Sequence, residues 1–143
     1  MSYSLHTRRR QRGVVLLEAL LATLILAIGL LGAIGLQARA YSALSDASMR
    51  GEAAIASERL LGTMSNDWLN LADYALAANA APSARIASWH AATLAAVPGA
   101  TITITLTPTV DLSRTEVLVT ISWTRKAGAP VNTHRITAYM ALS

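Results

Sequence analysis

An α+β fold is predicted for this chain of 143 residues by three features. Ala19 to Leu36 carries no charge at all. No proline interrupts the chain between Val14 and Ala81, so nothing forbids one long helix there. Thr101 to Thr107 then alternates polar and apolar residues, which is the period of a half-buried strand. Together they predict a long N-terminal α-helix, with a membrane half and an amphipathic half, packed on a small antiparallel sheet of about three strands.

Taken in order, the first element is a short basic segment, residues 1–13, containing Arg8, Arg9, Arg10 and Arg12 and ending at Gly13. Residues 14–36 are apolar apart from Glu18 and are long enough to cross a hydrocarbon layer about 30 Å thick. Residues 37–71 are expected to continue the same helix, for a total of about 85 Å at 1.5 Å per residue. Their pattern puts Ala40, Leu44, Ala47, Ala54, Ile55, Leu61 and Met64 near one face, with Arg39, Asp46, Arg50, Glu52 and Glu58 on others. Residues 72–143 form a small α+β head. Pro82-Ser83 precedes a short helix expected over 84–96, which Pro98-Gly99 stops. Strands are expected near 101–107, 115–125 and 133–142, with a turn at Lys126-Ala127-Gly128-Ala129-Pro130 between the last two. Val117, Val119, Ile121 and Trp123 should share the inward face of the second strand. Ile136, Ala138, Met140 and Leu142 should share that of the third. Short links make the sheet a meander, and a one-sided sheet needs a cover. The outer half of the long helix is the candidate.

Charge is distributed as a topology signal. The four arginines before Gly13 meet no acid, whereas from Val14 onward eight Lys/Arg balance eight Asp/Glu, so the net charge of +4 resides in the leader. Arginines flanking one end of an apolar run hold that end on the cytoplasmic side. No basic stripe with interleaved aromatics follows, so the pattern argues against a nucleic-acid partner. Cysteine is absent, which removes disulfides and thiolate metal sites.

Three readings of the N-terminus compete. A secretory signal would use Ala38-Arg39-Ala40 as its cleavage site, but the apolar run is longer than the usual h-region of about 7–15 residues. A plain signal anchor for an exported binding protein fits the length and the arginines, yet leaves Gly13 and Glu18 without a role. A third reading accounts for both. A protease at the cytoplasmic membrane face would cut after Gly13, where no side chain obstructs a narrow site. Val14 would then be the new N-terminus, with Glu18 as its fifth residue. In low dielectric that carboxylate can pair with an α-amino group and set a register between subunits.

Gly13 before an apolar residue, Glu18 five positions on, and the long apolar helix behind them resemble the class III signal of type IV pilins. Glu18 to Gln37, with its Ile28-Gly29-Leu30-Leu31-Gly32 and Gly35-Leu36-Gln37 stretches, is similar to the N-terminal helix of minor pilins of the PilV group. The strong similarity covers about residues 8–40; Arg50 to Asp67 is a looser likeness. The resemblance implies cleavage after Gly13 and N-methylation of Val14 by a prepilin peptidase/methyltransferase. It implies that Glu18 neutralises the incoming N-terminus during assembly with other minor and major pilins. It also implies residence in the inner membrane, N-terminus cytoplasmic and head periplasmic, before transfer to the pilus. Val14 departs from the Phe or Met with which mature pilins usually begin. A minor pseudopilin of a type II secretion system would share the signal and the helix.

Gly29, Gly32 and Gly35 carry two compatible readings. Small residues let helices approach closely, and each glycine weakens the helix by about 1 kcal/mol, making a segment that bends readily. No catalytic or cofactor motif is present: no H-E-x-x-H pair, G-x-S-x-G elbow or phosphate-binding glycine loop occurs. His6, His90 and His134 are isolated in sequence. Asp111 to Glu116 could crowd oxygens around a cation, but Arg114 in its midst favours a solvated loop. The expectation is a structural subunit with no metal, no cofactor and no enzymatic activity.

Overall fold

A computed structural model describes residues 11–109 and 114–141, with side chains from residue 13 onward. The architecture is α+β. A helix α1 (Gln11–Asn66) leads into a 3₁₀ segment (Trp68–Tyr74), a second helix α2 (Ala87–Ala96), and strands β1 (Thr101–Pro108), β2 (Arg114–Trp123) and β3 (Asn132–Ala141). The strands form one antiparallel sheet in the order β1-β2-β3. The chain divides into two compact units, one ending at Ser45 and the other beginning at Asp46.

In the first unit every large apolar side chain of α1 is exposed, from Val14 through Leu36 to Leu44. The helix is continuous because no proline breaks its hydrogen-bond ladder. Thr23 keeps its hydroxyl satisfied within the apolar run by donating to the carbonyl of Leu20 at 2.9 Å.

In the second unit the remaining turns of α1 cover one face of the sheet. Ala53, Ala56, Ser57, Leu60 and Met64 are buried, a spacing of three and four residues that makes one stripe. Of the expected face, Met64 is buried and Leu61 packs against the core, but the rest is rotated away from the buried stripe. Ile55 is 45% exposed and Leu44 67% exposed, on the side away from the buried stripe. Alanine-rich turns offer little hydrophobic contrast, and the buried Ser57, whose hydroxyl donates to Ala53 O at 2.9 Å, breaks the apolar pattern from within. Opposite the stripe lie Ile102, Ile104, Val117, Val119, Ile121 and Trp123, all buried. The inward face of β2 is as the alternation predicts. On β3 Met140 is buried while Ile136 and Ala138 are half-buried, and Leu142 lies outside the described residues.

Helix α1 and β3 run side by side in the same direction. Arg50 donates to the Asn132 side chain at 2.8 Å near one end, and Ser65 donates to the Met140 sulfur at 3.6 Å near the other. The other face of the sheet is uncovered and rich in hydroxyls. Thr101, Thr103, Thr105 and Thr107 stand opposite Ser122, Thr120, Leu118 and Glu116, and Thr133 and Thr137 continue two of these rows. Threonine suits such a surface because it is β-branched and polar.

Several boundaries differ from expectation. Helix α1 stops at Asn66 rather than near Leu71, because Asp67 leaves helical geometry at φ −128°, ψ 38°. The following turn tightens to 3₁₀ and is itself kinked at Asn70. Helix α2 begins at Ala87 rather than at 84, after a turn closed by Ile86 N–H to Ser83 O at 3.2 Å. Strand β2 ends at Trp123, two residues early, where the chain enters the turn before β3. Gly128 takes φ +81° in that turn and Gly99 takes φ +73° after α2, a conformation in which a Cβ is strained. The connector contributes one element not anticipated: Leu76 pairs with Ile104 through two backbone hydrogen bonds of 3.0 and 2.9 Å, partly closing the free edge of β1.

Candidate processing and assembly site

Gly13 and Val14 lie within the first turns of α1, and Val14 is 64% exposed. Val14 and Glu18 are four residues apart in a regular helix, so they sit one above the other on the same side, separated by about 6 Å along the axis. Glu18 is exposed and makes no hydrogen bond or ion pair among the described residues. The arrangement therefore leaves a carboxylate one turn from the backbone nitrogen of Val14. A free α-amino group at Val14 would be within reach of Glu18 of the same chain or of another. Arg8, Arg9 and Arg10 lie outside the described residues, as does the side chain of Arg12.

Gly29, Gly32 and Gly35 follow on the same helix. A Cβ added at any of them would meet nothing within 4 Å. Among the described residues, no neighbour requires smallness at these positions. The helix is long and apolar enough to cross a membrane.

The head shows two polar clusters that sequence reasoning did not assemble. In the first, Asp67 accepts hydrogen bonds from Asn70 at 2.6 Å, Tyr74 at 2.9 Å and Arg85 at 2.5 Å. Arg85 also reaches Asp73 at 3.3 Å, and Ser83 donates to the backbone of Asp73 at 2.6 Å. This network clasps the end of α1, the 3₁₀ segment and the approach to α2. The hydrogen bonds from Asn70 and Tyr74, together with the Arg85 charge, hold the Asp67 carboxyl below its ordinary range. Burial, reinforced by the Asp67 carboxylate, pushes the Tyr74 phenol up. The sequence signal was faint: Asp67 with Asn70 marks a turn, but Arg85 is eighteen residues away.

A second cluster lies where α1 meets the β2–β3 turn. Asp46 pairs with Arg125 at 3.2 Å beside the Arg50–Asn132 bond, around a recess of about 170 Å³. Among the described residues, the buried polar atoms Asp46 Oδ1, Trp123 Nε1 and His134 Nε2 have no hydrogen-bond partner. Elsewhere Tyr139 donates to Glu116 at 3.1 Å on the uncovered sheet face.

Among the described residues no group of three or more His, Asp or Glu side chains is positioned to hold a metal ion. Asp111 to Ser113 of the suggested cation loop lie outside the described residues. No protein-family model matches the chain, and no curated protein or solved structure matches it.

Proposed function

We propose that the chain is a minor pilin, a membrane-held subunit cut after Gly13 and then incorporated into, or priming, a type IV pilus. The observation that carries this reading is the pairing of Gly13-Val14 and Glu18 at the head of a helix that is apolar and exposed on all sides through Leu36, joined to a small α+β head. A soluble protein has no use for 23 exposed, nearly uncharged residues, whereas lipid or a bundle of like helices would cover them. Placed in a bilayer with Ile25 at its centre, Glu18 lies about 10 Å from the midplane, below the hydrocarbon boundary at about 15 Å. Its side chain leans toward the N-terminus and so toward the cytoplasmic surface. An acid held there is costly unless neutralised, and the amino group of a cleaved Val14 is the matching charge.

In this reading prepilin peptidase/methyltransferase is the processing partner, other pilins are the assembly partners, and the chain performs no chemistry of its own. The hydroxyl-covered head faces the periplasm and then the filament surface. Mass spectrometry of protein extracted from membranes decides the central point. A mature chain starting at Val14 is expected. A chain starting at Met1 would return it to a plain signal anchor, and one starting at Tyr41 to a secretory protein.

A further inference from the structure

Helix α1 contains one aromatic residue, Tyr41, and between Glu18 and Asp46 one charged residue, Arg39. Both are exposed, Tyr41 to 73%, and neither has a hydrogen bond or ion pair among the described residues. Their position along the helix follows from the apolar run. With Ile25 at the bilayer centre, Leu36 lies about 16 Å out, at the edge of the hydrocarbon, Arg39 about 21 Å out and Tyr41 about 24 Å out. Headgroups occupy the zone from about 15 to about 22 Å. Helical Cα–Cβ bonds tilt toward the N-terminus, so both side chains lean back toward the membrane and into that zone. Two residues apart, they project from nearly opposite sides of the helix.

We infer that Arg39 and Tyr41 form an interfacial collar that binds phospholipid headgroups of the outer leaflet and sets how deep the helix sits. The guanidinium meets a lipid phosphate as a planar, multi-donor cation. The phenol places its ring against acyl-chain carbons and its hydroxyl among ester and phosphate oxygens, as tyrosines do at membrane interfaces. Within α1, Arg39 and Tyr41 are the charged and the aromatic residue that stand just beyond this end of the apolar run.

This inference rests on the reading of α1 as a membrane span, and the test separates the two. The cysteine-free chain accepts single nitroxide labels at Leu24→Cys, Ala40→Cys and Glu58→Cys in the full-length protein. It is reconstituted in vesicles of equal parts phosphatidylcholine and phosphatidylglycerol, and label depth is read from collision with oxygen against a water-soluble nickel complex. The label at 24 is expected in the hydrocarbon, that at 40 at headgroup level and that at 58 in water. Replacing Arg39 and Tyr41 together by alanine is expected to move the label at 40 by about one helical turn, ~5 Å, while the label at 24 stays in lipid. A label at 24 exposed to the nickel complex overturns the membrane span itself. A label at 24 in lipid with the label at 40 as aqueous as that at 58, or an unmoved label at 40 after the double replacement, overturns the collar alone.

Discussion

The indole Nε1 of Trp89, on α2, donates a hydrogen bond of 2.8 Å to the backbone carbonyl of Ala56, thirty-three residues earlier on α1. It ties the short helix to the long one at a point where Ala56 is buried and Trp89 half-buried.

Trp89→Phe keeps most of the ring packing and removes the donor. A neutral hydrogen bond of this kind contributes about 1 kcal/mol net. For a head of roughly a hundred residues, that corresponds to a lower Tm by about 4–8 °C. Thermal unfolding followed by near-ultraviolet circular dichroism checks it. An unchanged Tm would mean that water replaces the indole at Ala56 without loss.

The Asp67 clasp predicts how the head responds to acid. Because the folded state depresses the Asp67 carboxyl, the unfolded chain binds a proton there more readily than the folded one. Its contribution is therefore complete above about pH 4, the range of an unfolded aspartate, and is lost as pH falls through the lower folded value. Asp67→Asn should lower stability near neutrality and flatten the acid limb of the stability–pH curve below about pH 4. Chemical denaturation at a series of pH values measures this. Parallel curves for the two proteins would show that other carboxylates carry the acid limb.

If the chain is the minor pilin proposed above, Glu18→Ala should leave cleavage after Gly13 largely intact, since the peptidase would meet the backbone on the other side of Val14. Incorporation into filaments should fall sharply, by tenfold or more if the buried charge pair matters as such pairs usually do when one partner is removed. Quantifying the subunit in sheared filaments against the membrane fraction checks both halves. Normal incorporation would remove the role assigned to the carboxylate.

Much of the architecture was legible from local patterns. The uncharged run and the absence of proline from Val14 to Ala81 identified α1, and strict alternation in Thr101–Thr107 and Val117–Trp123 identified the strands and the inward face of β2. Those signals are local, because a half-buried strand or a proline-free apolar helix leaves a repeating mark on its own residues. Gly13, Val14, Glu18 and the three glycines were also legible as a linear arrangement, and the helix does place Val14 and Glu18 on one side. What the folded chain alone decided was which stripe of the alanine-rich α1 is buried, because small side chains and Ser57 give almost no contrast for a sequence pattern to reveal. It also decided that α1 ends at Asn66, through a clasp whose arginine comes from eighteen residues downstream, and that Leu76 pairs with Ile104. These outcomes depend on groups far apart in the chain competing for one another, and no local window contains both partners.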